Sequence, residues 1–568
     1  MDVLEQRRSN SRTRLETILT LSSIALGLIH AWSGRYSMNL DGVSYLDVGD
    51  SFARRDWANA LNAWWSPLYP WTLGIALKVV APSPKWEFPL VHVVNFVIFL
   101  AALGAFRFFL HRLLRWCHET RPSEPEVSAL PDWSLILLGY AIFLWTSLDV
   151  VSIYGVAPDL AVLGCVCMIG GALLGLDENP NVPRSVLFGL VLGAGYWIKT
   201  ILFPLGLIAL ICAYVWRGTS PSSNWRRGVA ISALVFLCTT APLVLLLSKQ
   251  KGRFTIGETG RLNYARFVFP QMPWTNWQGG IPGGGIPTHP TRQILTEPPV
   301  FEFDGPVTGT YPPWTDPSYW NDGVQPHFRL RPQLEILATT VPSEIRVLFR
   351  EQPALVAGVI VLVLLSGLPW SAALSKLWPL LAIGVIGMAV YLPLVVNDRY
   401  LAGYVLVLFL IILAAVRLRP ADYRVAGYIA IAVFATMALG TIDLAVRYGS
   451  HHLVNAGAGP NSTIEDVSAA EELAKWGVRP GDKVAVIGGG TGTYWARLAK
   501  LRIVAEVSEG GLTDSFWQLS PQARQRVYGA LASTRASLVM ARCPARSVDG
   551  WEPIAGTGDC VYWLPERR

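Results

Sequence analysis

Eleven apolar stretches restrict what this chain can fold into more than any motif in it does. To within a few residues they cover 15–32, 88–110, 133–151, 158–176, 185–198, 201–216, 229–247, 353–369, 378–396, 401–416 and 425–446. Inside a bilayer every backbone amide must be hydrogen-bonded within the protein, which leaves helices or a closed barrel. A helix rises about 1.5 Å per residue, so about 20 apolar residues cross a hydrocarbon core of about 30 Å. Only 15% of the residues are charged, where soluble domains carry about a quarter. The expectation is a polytopic α-helical membrane protein of about eleven spans. Its 23 tryptophans suit the aromatic belts of membrane boundaries, although several stand in loops.

Basic residues set the orientation. The segment before the first apolar run carries Arg7, Arg8, Arg12 and Arg14 and shows no small-residue cleavage site, so it reads as the start of an uncleaved first span. Alternate short loops repeat the pattern with Arg112, Arg115 and Arg121, with Arg184, with Arg217, Arg226 and Arg227, and with Lys376, Arg417, Arg419 and Arg424. By the positive-inside rule these loops face the cytoplasm. The net charge of +7 is therefore topological and does not point to nucleic acid. In a plasma (inner) membrane the N-terminus is then expected in the cytoplasm and the C-terminus outside. Three regions project outward: 34–87, 248–352 and everything after about 447. The division expected is a transmembrane domain over 1–447 and an extracytoplasmic α/β domain over 461–568.

The first outer loop is more elaborate than a connection requires. A helix beginning near Gly42 would bring Asp41, Ser44, Tyr45 and Val48 to one face, because positions three, four and seven apart line up. Asp50 would point nearly the opposite way. Asp41 is the focus of that surface, unless it only caps the helix. The second outer loop is rich in Pro, Gly, Trp and Tyr, as in MPWTNWQGG and GTYPPWTDPSYW, and lacks helical periodicity through most of its length. Its aromatic density argues against disorder. It suits either sugar rings, with their apolar faces and polar edges, or a packed lid.

The tail alternates helix and strand, with helices at 465–476, in TYWARLAKL and at 521–532 and strands in KVAVIG, RIVAEV, 536–540 and CVYWLP. Its GGGTGTYWARLA stretch is a weak cofactor signal. The preceding strand lacks a terminal acidic residue, so a tight structural turn is the better reading. Cys543 and Cys560, both on the outer side, are expected to form a disulfide; the cysteines within the spans read as apolar filler. No His/Cys cluster suggests a metal, His289 and His327 being isolated, and no cofactor is expected.

A polar constellation is spread over four outer turns: Asp41, Asp159 in YGVAPDLAV, Lys199 between two short spans, and Arg399-Tyr400 in VVNDRYLAGY. The span before Lys199 offers roughly 21 Å of helix, which places the lysine below the outer surface, facing a cavity. Ionisable groups at such depth are costly and suggest function. A cationic pair can hold a lipid phosphate, and a carboxylate can take a proton from a hydroxyl. Taken singly, the two aspartates could cap helices, Lys199 could snorkel and Arg399-Tyr400 could anchor the interface.

The run Asp41…Tyr45…Arg55-Asp56-Trp57…Ser66-Pro67-Leu68-Tyr69-Pro70-Trp71 resembles the first outer loop of the GT-C superfold glycosyltransferases. It is most similar to the branch of protein O-mannosyltransferases and the lipid A aminoarabinose transferase. Asp41 matches the catalytic aspartate of that branch, Tyr45 its tyrosine and Asp56-Trp57 its Asp-Trp pair. Asp159 resembles the acidic residue of the second outer loop, and Arg399-Tyr400 a late Arg-Tyr motif. Gly42 replaces the second acid of the opening pair, and Ser66 stands where a lysine is common, which passes the phosphate contact to Lys199 or Arg399. The resemblance implies an inverting transfer of a monosaccharide from a polyprenyl-phosphate donor to a hydroxyl of a glycan, lipid or protein. Asp41 and Asp159 would be catalytic, and Tyr45, Trp57, Lys199, Arg399 and Tyr400 would bind substrate. A secondary transporter or lipid flippase is the alternative, although only one interrupted span pair is visible where inverted repeats would show two. A non-catalytic assembly protein using the outer domains is a third.

Overall fold

A computed structural model describes residues 2–120, 127–217, 222–454, 463–508, 512–546 and 548–565. Arg121 of the basic loops, and both ends of the expected 461–568 domain, lie outside the described residues. Helices stand at all eleven predicted positions, but with unequal lengths. Among the described residues seven are long and apolar enough to cross a membrane, or nine if each of two bent pairs counts as one span. The pairs are Leu330–Phe349 with Pro353–Ser366, bent by 73°, and Pro369–Lys376 with Trp378–Ala389, bent by 77°. Proline explains both joints: it cannot donate to the preceding turn and disfavours helical backbone before it. The expected short pair is present as Val182–Ile198 and Leu202–Trp216.

We label the helices that position the site α1 (Asp2–Ser33), α2 (Leu40–Ala53), α3 (Leu68–Val80), α4 (Pro84–Glu119), α5 (Asp159–Glu178), α6 (Val182–Ile198) and α7 (Asp398–Ala415). The bundle is built around α5, α7 and Asp132–Val151, each mostly enclosed by protein, whereas α1 and Ser223–Lys251 have about a third or less of their length covered. A helix apolar on every side belongs in such a centre. Phe99, Phe106, Phe109 and Phe143 fill the contact between α4 and its neighbours.

The loop 34–87 folds mainly into α2 and α3, with a single helical turn, Trp57–Ala60, between them. α2 and α3 touch backbone to backbone, since a Cβ on Gly49 would lie 2.5 Å from the Pro70 carbonyl and one on Gly74 would lie 2.1 Å from that of Gly49. α3 turns Leu68, Ile75, Val79 and Val80 outward.

The tail forms a seven-stranded sheet with β1 (Arg292–Leu295), β2 (Val300–Glu302), β3 (Lys483–Ile487), β4 (Arg502–Val507), β5 (Leu538–Arg542), β6 (Trp551–Pro553) and β7 (Asp559–Trp563). The order is β1-β2-β4-β3-β5-β7-β6. Its centre is parallel, β4 and β5 flanking β3, and both edges are antiparallel. β1 and β2 come from the second outer loop, so loop and tail share one sheet, with Val300 opposite Val507. Cys543 and Cys560 are joined in a disulfide, their Cα atoms 5.0 Å apart.

Candidate active site

The four dispersed polar residues meet. Asp159, in the first turn of α5, is almost completely buried. Lys199 follows α6 in extended backbone, so its side chain turns inward and donates from Nζ to Asp159 Oδ1 at 2.6 Å. The same ammonium lies 3.8 Å from the Tyr400 ring centroid, a cation–π contact. Arg399 stands in the first turn of α7, whose N-terminus is capped by the Asn397 side chain. Its Nε is 3.3 Å from Asp159 Oδ2 and its Nη2 3.5 Å from Asp41 Oδ2. Asp41, in the first turn of α2, accepts from Trp314 Nε1 at 3.3 Å. All five border one cavity of about 710 Å³.

The two carboxylates are held differently. Asp159 is committed to two cations at short range. Asp41 has only two long contacts and keeps 27% of its side chain exposed. Burial pushes the Asp41 carboxyl above its ordinary range, against the pull of Arg399 and the Trp314 hydrogen bond. A carboxylate so placed is a better proton acceptor than a free one.

Tyr45 lies in the cavity wall, edge-on to Trp65 at 4.8 Å and to Tyr69 at 5.1 Å. Burial, with Asp41 and Asp159 nearby, raises its phenol well above the usual value, so it remains a donor. Tyr400 stacks on Tyr391 at 5.3 Å. Ser66 borders the cavity, 3.1 Å from the Thr200 hydroxyl. Trp57 is the exception to the expected set. It is exposed, packs edge-on against Phe52 and Trp71, and does not border the cavity. It props the joint between α2 and α3, because its side chain follows the direction of that turn and not the motif it resembles.

Other residues were not foreseen. Trp64, Trp274 and Trp314 form the aromatic side of the cavity. Behind them Arg266, 5% exposed, sits within 4.6, 5.1 and 4.9 Å of those three rings. Aromatic density marked the loop as a whole, but nothing local singled these positions out. The glycine loop also reaches the cavity, through Thr491. Gly490 has no room for a side chain, since a Cβ would meet the Tyr311 ring at 2.3 Å, and its amide donates to Glu506 at 2.9 Å. Glu506 in turn accepts from Tyr311 Oη at 2.9 Å. These contacts suit a structural turn.

No family model matches the sequence, and no curated protein matches it. Among solved structures the apo form of ArnT from Cupriavidus metallidurans superposes with a TM-score of 0.53 at 13% identity, over 96% of this chain and 97% of that one. A second structure of that protein, bound to undecaprenyl phosphate, gives 0.44 over the same shares. The chain has the ArnT fold. That fold is of the GT-C type, as the first outer loop led us to expect. The superposition with ArnT runs through the outer loops and the tail as well as the bundle.

Proposed function

We propose that this chain is an integral-membrane glycosyltransferase that moves a monosaccharide from a polyprenyl-phosphate donor to an acceptor hydroxyl on the outer side of the membrane. The observation carrying this reading is the convergence of a loosely held Asp41 with a Lys199–Asp159–Arg399 cluster in one cavity. The cavity has three kinds of wall. Ile198, Ile201, Val390, Leu394 and Val395 offer an apolar flank for an isoprenoid chain, and Trp64, Trp274 and Trp314 offer faces for a sugar ring. Lys199 and Arg399 lie between them, where a phosphate would sit.

In this scheme the Asp41 carboxylate takes the proton of the acceptor hydroxyl. The acceptor oxygen then bonds to the anomeric carbon as the bond from that carbon to the phosphate oxygen breaks, with inversion. The charge leaving with the lipid phosphate is met by Lys199 and Arg399. Asp159 acts by holding those two cations, and the aromatic outer loop keeps water from the anomeric carbon. The fold shared with ArnT supports the class of reaction. We place the N-terminus in the cytoplasm and the sheet domain outside, by the arginine distribution, which cysteine-accessibility labelling of the loops would check.

The deciding experiment is lipid and glycan profiling of a deletion strain complemented with wild type or Asp41→Asn, with membrane levels of both proteins matched. Only wild type should restore the product. Equal restoration by the variant would remove Asp41 from the mechanism.

A further inference from the structure

On the opposite side of α2 from the candidate site lies a charged cavity of about 740 Å³, between the α3–α4 corner and the tail domain. Five basic and three acidic side chains line it. The acids are already engaged. Arg497 donates to Asp47 at 2.8 Å, Asp50 at 2.7 Å and Glu87 at 2.7 Å, and Lys500 to Glu87 at 2.6 Å. Among the described residues, two of the lining cations, Lys78 and Arg54, remain without an acidic partner. Lys78 Nζ donates only to the Ala53 carbonyl, at 2.8 Å. Among the described residues neither Lys78 nor Arg54 makes an ion pair within 4.0 Å. Arg502 is partly engaged, 3.8 Å from Asp304 and donating to the Val307 carbonyl at 3.0 Å, with its Nε left unsatisfied. A cavity lined by more basic than acidic side chains, two of the cations unpaired, suits an anion.

The α3–α4 corner that walls this cavity also walls an apolar crevice of about 400 Å³ between the outer ends of α1 and α4. Pro82 borders both. Val80, Trp86, Leu90 and Val93 line the crevice, and Arg35 stands in it, packed over Trp32 at 4.5 Å. The neighbouring α3 exposes Ile75, Val79 and Val80, which sets the corner at the lipid boundary, where such side chains are stable.

We infer that this corner binds a phospholipid with an anionic headgroup, one acyl chain in the crevice and the headgroup over Pro82 among Lys78, Arg54 and Arg502. The site is separate from the Asp41 cavity and does not depend on the transferase reading. A headgroup there bridges Arg54 and Lys78, at the ends of α2 and α3, to Arg502 of β4 in the tail sheet, so occupancy stabilises the docked tail.

The test uses the full chain in nanodiscs, with phosphatidylglycerol carrying a photoreactive acyl chain and the matching phosphatidylcholine as control. Labelling should fall on residues 28–35 and 82–96, and phosphatidylglycerol should raise the melting temperature over phosphatidylcholine alone. Lys78→Gln and Arg54→Gln should each lower labelling about fivefold. Leu90→Trp fills the crevice without touching the cations and should abolish labelling, which covers the case of charge variants that fail to fold. The proposal is overturned by labelling confined to 390–400, by equal labelling with phosphatidylcholine, or by inorganic phosphate displacing the lipid and reproducing the thermal shift.

Discussion

Asp41 and Asp159 are both carboxylates in one cavity, and their surroundings give them different work. Asp41→Asn should lower turnover by about 10²- to 10⁴-fold, the usual worth of a general base, with melting behaviour near that of wild type. Because burial lifts its pKa despite Arg399, the base is lost to protonation at a higher pH than an exposed aspartate would be. Turnover should therefore rise with pH through a limb displaced upward from the ordinary carboxylate range. A limb at the ordinary position would refute the burial argument. Asp159→Asn differs in kind, since it leaves Lys199 and Arg399 without their shared counter-charge. Removing one member of a buried ion pair costs about 3–5 kcal/mol, so this variant should lose thermal stability as well as donor binding. The sequence pointed to these four residues because charge is conspicuous among apolar spans. It was silent on Arg266 and Trp314, which stand in a loop crowded with similar residues.

At the scale of elements, α2 is held from three directions. Gly49 and Gly74 let α3 approach it, Ser44 donates to the Trp314 carbonyl at 2.9 Å, and Asp47 accepts from Thr310 and from Arg497 of the tail. Gly74→Ala should push α3 off α2, costing about 1–3 kcal/mol as an overpacked contact does. Activity should fall with it, because α2 carries Asp41. Arg497→Ala should cost about 3–5 kcal/mol by leaving buried carboxylates unmatched, and Arg497→Lys should recover part of that. A chemical-denaturation series on purified protein measures both. From sequence, TYWARLAKL read as one more helix of the tail. Nothing in it announced that its arginine, 2% exposed, would reach the juxtamembrane carboxylates.

For the molecule as a whole, the tail is an extension of the membrane domain, joined to it by a shared sheet and by Arg497. Its stability carries a pH signature. Asp466, in Ile464–Lys475, accepts from the Trp495 amide at 3.0 Å. Burial pushes it up to about 7, against that hydrogen bond and aided by repulsion from Asp559. The folded state thus keeps a proton that the unfolded chain, with an aspartate near about 4, gives up. Asp466 contributes its full stability below about 4, and the contribution is lost as pH rises to about 7. Asp466→Asn should flatten the melting temperature across that window. Identical curves for variant and wild type would show that the carboxyl is not buried in solution.

Sequence alone determined the positions of the apolar helices, the short helix pair, the alternation of helix and strand in the tail and the residues of the polar cluster. Each is a property of a contiguous segment: apolar length, alternation, or a charge where lipid tolerates none. Only the tertiary structure decided that 292–302 completes the tail sheet, that Asp159 clamps Lys199 and Arg399 while Asp41 stays loosely held, and that Trp57 faces away. Those outcomes depend on which distant surfaces pack together, and no segment encodes by itself the partner that its edge strand or its side chain will meet.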